Sequence, residues 1–257
     1  MQDERACVAL EEVLRDKSDD VMVRHECAEA LGAIGEERSL PLLQRMSERK
    51  LEDGSQDDGM PEELRETCEI AYDFCKWKSD GENGQRPEVA CACMLSPYNS
   101  YDPAPPSPET DQYTTTVLGD RLLDVNLPLF SRYQAMFALR NRGGEECVIQ
   151  LGRALVKDKS SALLRHEVAY VLGQMAHPAA IMPLAESLRR SEEHSMVRHE
   201  SAEALGAIEG DESETKQCKE LLREFANPLH EKDNVVRESC EVALDTMDYW
   251  NNFVEEA

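Results

Sequence analysis

The chain has 257 residues, which is enough for one large domain or two modest ones. Acidic residues outnumber basic ones, 52 to 28, and the formal net charge of -24 argues against direct contact with nucleic acid and favours a basic partner. No run of about 18 apolar residues exists, so no membrane span is predicted. The charged residues 1–20 do not resemble a signal peptide, and nine cysteines without a spaced framework predict free thiols in the cytoplasm.

The first part of the chain is predicted to be helical. Amphipathic patterns predict helices over residues 4–15, 22–35, 39–49 and 61–76. Residues 79–120 contain half of the twelve prolines and are predicted to form an extended linker. Cys91 and Cys93 lie in this segment, but no second cysteine pair at ligand spacing accompanies them, so a zinc site is not predicted.

The second part of the chain repeats a two-helix unit. The related triplets at residues 132–134, 165–167, 198–200 and 237–239 are spaced by 33, 33 and 39 residues. A second amphipathic stretch lies between successive triplets, as in residues 146–158 and 180–191. No segment shows the alternation that is typical of a strand. The sequence therefore predicts an all-α fold, an α-solenoid of HEAT-like helical hairpins.

The two parts of the chain are related to each other. Eleven of the thirteen residues in 23–35 are identical to those in 197–209, at a shift of 174. Residues 64–73 match residues 236–245 at a shift of 172. We therefore predict two pseudo-symmetric halves, residues 1–78 and 121–257, joined by the linker 79–120.

The triplet Arg-His-Glu occurs three times, at residues 24–26, 165–167 and 198–200. On a helix, its histidine and glutamate point in neighbouring directions beside a strip of Ala and Gly, where another helix or a bound ion can come close. Imidazole and carboxylate together suit a redox-active first-row metal such as iron. Three copies at equivalent positions therefore favour a metal site.

Other interpretations stay open at this point. A single His-Glu pair on a solenoid helix is most often a solvated, capping or ion-pairing feature. A HEAT scaffold without enzyme activity, or less readily a zinc hydrolase, would also fit a helical repeat chain. The triplets at 65–67 and 237–239 lack the histidine and are interpreted as terminal units that keep only the solenoid framework. His177, His194 and His230 are expected to be solvated residues of inter-helix turns.

The motifs resemble those of one known family. The segments RHE-x-AEALGAI and RHEVAYVLGQM, SPYNSYDPAPP from Ser96, LFSRYQAMFALRN from Leu129 and VVRESCEVALD from Val235 resemble the deoxyhypusine hydroxylase family over essentially the whole chain. The resemblance implies a HEAT-repeat diiron monooxygenase. Such an enzyme uses dioxygen and Fe(2+), two ions per intact site, to hydroxylate the deoxyhypusine side chain of the hypusine-bearing translation factor.

The resemblance also implies roles for individual residues. One iron would be held by His166, His199 and Glu200, and the other by His25 and Glu26. Glu167 would be the catalytic-site carboxylate that meets the substrate amine and not a metal ligand. The acidic composition suits such a cationic side chain.

The family pattern has four His-Glu pairs, two in each half, whereas this sequence has three. At the 174-residue shift, the partner of His166-Glu167 would fall before Met1. The sequence is therefore expected to lack the first N-terminal repeats and to hold the first-half metal weakly. A shortened, inactive form that only binds the partner remains an alternative.

Overall fold

The computed structural model describes residues 4–48, 59–82, 98 and 100–255, and within this part of the chain all regular structure is helical. The α-helices in chain order are α1 (Glu4–Arg15), α2 (Val21–Ile34), α3 (Leu40–Ser47), α4 (Glu62–Glu82), α5 (Thr115–Leu123), α6 (Leu129–Arg142), α7 (Glu145–Lys157), α8 (Ala162–Met175), α9 (Ile181–Arg189), α10 (Ser195–Gly206), α11 (Glu212–Ala226) and α12 (Asn234–Glu255). The predicted all-α fold is confirmed.

The ends of the motif-bearing helices follow from local capping residues. The Asp20 side chain accepts a hydrogen bond from Met22 N at the start of α2, and Gly35 ends that helix with a φ of 71°. The Ser161 hydroxyl accepts from Leu164 N at the start of α8. These contacts satisfy amide groups that have no partner within the helix, and a left-handed residue after a helix favours glycine.

Two histidines expected to be solvated in turns also cap helical segments. Nδ1 of His194 accepts from Met196 N at the start of α10, and Nδ1 of His177 accepts from Ala179 N at the start of the short 3-10 turn Pro178–Ala180. Both side chains are half-buried and thus only partly solvated, while His230 is exposed as expected. Two of the three histidines outside the triplets therefore have a local structural role as caps of helical segments.

Both parts of the chain bury the residues that the helical patterns predict. In the first part, Cys7, Leu14 and Leu31 lie in one core formed by α1 to α4. In the second part, α7 buries Leu151 and Leu155 completely. These cores fix the helices that carry the triplets.

Successive triplet-bearing helices approach each other through glycine. A Cβ added at Gly32 on α2 would lie 2.9 Å from Ala71 Cβ on α4. The same substitution at Gly173 on α8 would place Cβ 3.0 Å from Ala204 Cα on α10. Because these distances are shorter than ordinary carbon contacts, the helices can approach this closely only where a side chain is missing. The sequence predicted that another helix or a bound ion comes close to the strip of Ala and Gly. In the structure, a neighbouring helix makes this close approach.

Replacing Gly173 with Val is expected to separate α8 from α10 and to destabilise the protein by about 1–3 kcal/mol, as overpacking of a dense core usually does. The free energy of unfolding in urea measures this. Ala207→Val, at an exposed position just after α10, is the matched control and should change stability by less than about 0.5 kcal/mol. Equal stability of the two variants would contradict the close helix contact.

The described chain separates into two compact units, Met1–Gln112 with Val125–Phe137, and Tyr113–Asp124 with Ala138–Ala257. Part of the proline-rich segment packs within the first unit: the Tyr101 ring meets Phe74 edge-on at 5.6 Å, and Gln134 Nε2 donates to Pro105 O. Helices α4 and α5 occupy its two ends. Residues 83–97, with Cys91 and Cys93, lie outside the described residues, and the division of the chain at 78 and 120 stays a prediction.

Within the described residues, no helix is both long and apolar enough to cross a membrane. The cysteines of this part of the chain are free and buried: Cys7, Cys27, Cys68, Cys75, Cys147, Cys218 and Cys240. Burial raises the pKa of the Cys68 and Cys240 thiols to about 12. These two side chains therefore stay protonated and act as small apolar core residues.

Candidate metal centre

Two imidazoles and one carboxylate converge in the second unit. His166 on α8 and His199 and Glu200 on α10 each offer one ligand atom, and these atoms lie within 4.8 Å of one another. His166 Nε2 lies 3.5 Å from a Glu200 carboxylate oxygen, and the two imidazole centroids are 5.4 Å apart. Two histidines and one carboxylate are the donor set that non-haem Fe(II) enzymes use.

The two nitrogens of the His199 ring have different surroundings. Its Nδ1 lies 3.6 Å from a Glu203 carboxylate oxygen and 3.5 Å from the Ser239 hydroxyl. Its Nε2 is buried, and no described residue makes a hydrogen bond with it. Since buried polar nitrogens are normally satisfied, this Nε2 fits a metal ligand.

A second group lies in the first unit, on α2. His25 is fully buried, and His25, Glu26 and Glu29 offer ligand atoms within 4.8 Å of one another. His25 Nε2 lies 3.6 Å from a Glu29 oxygen, and His25 Nδ1 lies 2.7 Å from the Thr67 hydroxyl on α4. This group combines one imidazole with two carboxylates. Glu29 was not among the predicted ligands, although its i+4 spacing from His25 places both on one helix face.

The arginines of the triplets fix helices and are not ligands. Arg24 Nε donates to Leu14 O at 3.1 Å, and Arg198 Nε donates to Leu188 O at 3.0 Å, which is the same contact at the 174-residue shift. Each arginine thus satisfies a terminal carbonyl of the helix before it. Arg165 instead pairs with the buried Glu193 carboxylate at 2.7 Å. The arginine of a triplet therefore anchors the helix that carries the adjacent histidine and glutamate.

Glu167 is not one of the three residues of the convergent group, and its role as a substrate carboxylate stays a prediction. It is 5% exposed and sits one turn before Tyr170 on α8. Burial raises the pKa of Tyr170, and the negative charges of Glu167 and then Glu200 raise it further. Because its pKa is raised above the ordinary value, the Tyr170 hydroxyl stays protonated at neutral pH.

The triplets at 65–67 and 237–239 contact the histidines of the candidate groups, which corrects their interpretation as framework alone. On three helices the third triplet residue approaches the histidine of the preceding triplet-bearing helix: Glu200 lies 3.5 Å from His166, Thr67 lies 2.7 Å from His25 and Ser239 lies 3.5 Å from His199. In the sequence, this role was indicated only by the hydroxyl residues Thr67 and Ser239 at the third position of the triplets 65–67 and 237–239.

Comparison with known proteins agrees with this architecture. Residues 131–206 and 151–245 match the HEAT repeats family, and residues 23–49 match the PBS lyase HEAT-like repeat. The predicted HEAT-like repeats are thereby confirmed. The chain is 44% identical to deoxyhypusine hydroxylase of Danio rerio over 252 residues, which are 98% of this chain and 74% of the relative. For deoxyhypusine hydroxylase of Rattus norvegicus, the identity is 46%, with 98% and 73% covered.

A solved structure shows the same fold. Human deoxyhypusine hydroxylase in complex with glycerol matches with a TM-score of 0.79 at 44% sequence identity, over 96% of this chain and 75% of that one. An identity of this size over nearly the whole chain confirms the resemblance seen in the motifs. The chain, with its triplets, its HEAT repeats and its convergent histidines and glutamates, belongs to the deoxyhypusine hydroxylase family.

Proposed function

We propose that this chain is a deoxyhypusine monooxygenase, which uses dioxygen and Fe(2+) to hydroxylate the deoxyhypusine side chain of the hypusine-bearing translation factor. The observation that carries the proposal is the buried group of His166, His199 and Glu200, whose ligand atoms lie within 4.8 Å of one another. Its donor set suits ferrous iron and is unusual for a scaffold. Membership of a family whose members are named for this activity supports the same conclusion.

Each unit would hold one iron by its own residues. His166, His199 and Glu200 would be the ligands in the second unit, and His25 and Glu26 would be ligands in the first. Iron, when bound, supplies the activation of dioxygen that the hydroxylation of a carbon requires. Glu29 is a further carboxylate within reach of the first-unit metal.

Substrate binding depends on charge. The deoxyhypusine side chain carries an ammonium group, and Glu167 is a buried carboxylate one residue from the ligand His166. A buried carboxylate binds an ammonium more strongly than an exposed one, because less water competes. Glu167 would thus hold the amine and orient the chain beside the metal. The net charge of -24 would attract the basic protein partner at long range.

The site of action is proposed to be the cytoplasm. The buried, free cysteines of the described residues suit a reducing compartment, because an oxidising one would select for disulfides. A translation factor is also found where protein synthesis takes place.

Replacing Glu167 with Gln is expected to raise KM for a deoxyhypusine-containing protein about 30-fold, because a charge-assisted hydrogen bond worth roughly 2 kcal/mol is lost. Iron content should stay unchanged, since Glu167 is not a ligand. Hypusine formed by the iron-loaded chain, measured by amino-acid analysis, gives KM and kcat. Glu209→Gln, at an exposed position, is the matched control.

Three outcomes of that experiment are informative. Loss of iron from Glu167→Gln would make Glu167 a ligand instead of a substrate carboxylate. Unchanged KM would remove Glu167 from substrate binding. If the iron-loaded wild-type chain binds the deoxyhypusine protein and forms no hypusine, the chain is the partner-binding form, and the proposed activity is wrong.

A further inference from the structure

A hydroxyl group lies against Nδ1 of one histidine in each unit. In the first unit, the Thr67 hydroxyl on α4 is 2.7 Å from His25 Nδ1. The same hydroxyl donates its hydrogen to Glu63 O, also at 2.7 Å. A hydroxyl has one hydrogen, and that hydrogen is already used. With that hydrogen directed to Glu63 O, the contact with His25 is made by the imidazole donating from Nδ1.

The second unit repeats this arrangement with different residues. The Ser239 hydroxyl on α12 donates to a Glu203 carboxylate oxygen at 2.9 Å. His199 Nδ1 lies 3.5 Å from the same hydroxyl and 3.6 Å from the same carboxylate oxygen. Both groups can only accept from the ring, because the hydroxyl has used its hydrogen and an ionised carboxylate has none. His199 is thus also directed to carry its hydrogen on Nδ1.

We propose that Thr67 and Ser239 are positioning residues that hold His25 and His199 in the Nδ1–H tautomer and so reserve each Nε2 lone pair for the metal. The geometry agrees at His199, whose buried Nε2 makes no hydrogen bond with any described residue. A hydrogen-bond partner on the far ring nitrogen commonly fixes the tautomer and orientation of metal-binding histidines.

Glu203 takes part in this arrangement through its position. One carboxylate oxygen of Glu203 accepts from the Ser239 hydroxyl at 2.9 Å and lies 3.6 Å from His199 Nδ1. A carboxylate beside the far ring nitrogen orients a metal-binding histidine and makes its ring a stronger electron donor.

The third triplet position holds glutamate in some units and a hydroxyl residue in others, and the two kinds of residue lie beside different nitrogens of the histidine ring. At the third triplet position, Glu200 lies beside Nε2 of the preceding His166, on the side where a metal would bind. Thr67 and Ser239 occupy the same triplet position but lie beside Nδ1, on the opposite side of the ring. A glutamate at this position supplies a ligand, whereas a hydroxyl supports the last histidine of its unit.

The tautomers of the histidines in the metal-free chain test the inference directly. Two-bond ¹H–¹⁵N correlation spectra of ¹⁵N-histidine protein, at a pH where the rings are neutral, distinguish Nδ1–H from Nε2–H. The signals of His25 and His199 are assigned with His25→Gln and His199→Gln. We expect Nδ1–H for both. In Thr67→Val, His25 should change to Nε2–H, because Glu29 then remains as its acceptor at 3.6 Å from Nε2.

A conservative variant separates this role from folding. Thr67→Ser keeps the hydroxyl and should restore Nδ1–H at His25, while the double variant Ser239→Ala with Glu203→Ala should release His199. Ser201→Ala, which removes a buried hydroxyl that bonds Val197 O and Ser187, is the control and should change neither tautomer. Nε2–H in the wild-type chain, or an unchanged His25 in Thr67→Val, would overturn the inference.

A second measurement, on Fe(2+) affinity, rests on the proposed function. Anaerobic competition with a chelator should show Thr67→Val binding Fe(2+) in the first unit at least about tenfold more weakly, with recovery in Thr67→Ser. Failure of wild-type metal binding with the expected tautomers would count against the proposed function alone. Normal affinity in Thr67→Val would overturn the positioning role.

Discussion

His199→Ala is expected to abolish Fe(2+) binding in the second unit and, with it, hypusine formation. The histidine offers one of three converging ligand atoms, and its Nε2 makes no hydrogen bond with any of the described residues. Loss of an outer partner of a ligand already costs about 10- to 100-fold in metal affinity, and loss of the ligand itself must cost more. The variant should therefore hold one iron fewer per chain than the wild type.

Stability gives an independent measure of the same loss. Metal that binds only the folded chain stabilises it by about 2.7 kcal/mol at a concentration 100 times Kd, which is roughly 5–10 °C in Tm. Anaerobic addition of Fe(2+) should raise the Tm of the wild type by more than that of His199→Ala. The apo form of the variant should keep its helical circular dichroism.

His230→Ala is the matched control for this experiment. His230 is exposed, and its Nδ1 lies 3.9 Å from a Glu224 oxygen. Its removal deletes an imidazole without touching the converging group. Iron content and the metal-dependent rise in Tm should therefore equal those of the wild type. An equal loss of iron in both variants would show that His199 is not a ligand.

The fold was predictable from the sequence because it depends on periodicity. The spacing of the triplets determines which helices are equivalent, and the glycines that permit their close approach, such as Gly173, were visible as part of the repeated motif. The grouping of His166, His199 and Glu200 came from the family resemblance, because the local pattern pointed to a metal site without showing which triplets share it.

The supporting residues could not be predicted in the same way, because their roles depend on contacts between helices. Thr67 and Ser239 stand where other triplets have glutamate, and sequence alone does not show which ring nitrogen they face. Glu29 and Glu203 share a helix face with the histidines, but so do many exposed glutamates in an acidic chain. The packing of residues 100–112 depends on distant partners such as Phe74.

Breaking the Arg198–Glu231 pair is expected to give the largest loss of stability. Both side chains are buried, at 6% exposure each, and Arg198 donates to Glu231 and to Leu188 O. Arg198→Met leaves the Glu231 charge without its partner in a buried place, which typically costs 3–5 kcal/mol. Urea denaturation at neutral pH measures the loss. A weaker metal affinity should accompany it, because Arg198 anchors the helix that carries His199.

The pH dependence of this loss has a defined sign. Burial opposes ionisation of Glu231, but hydrogen bonds from Arg198 and from two backbone amides outweigh it and lower the Glu231 pKa below its ordinary value. A lowered folded-state pKa means that the pair stabilises the protein above the unfolded-state pKa, about 4.3, and that this stability is lost as pH falls through the folded-state pKa. The difference between wild type and Arg198→Met should therefore shrink in acid.

An exposed ion pair in the same unit provides the control. Lys219 donates to an Asp248 oxygen at 2.6 Å, and the Asp248 side chain is 60% exposed. Lys219→Met should cost less than about 1 kcal/mol, because water solvates the remaining carboxylate. The double variant Arg198→Met with Glu231→Leu should recover most of the loss, since it removes the unpaired charge along with its partner. A double variant as unstable as Arg198→Met would show that the arginine acts through Leu188 O and packing, and that the ion pair itself contributes little.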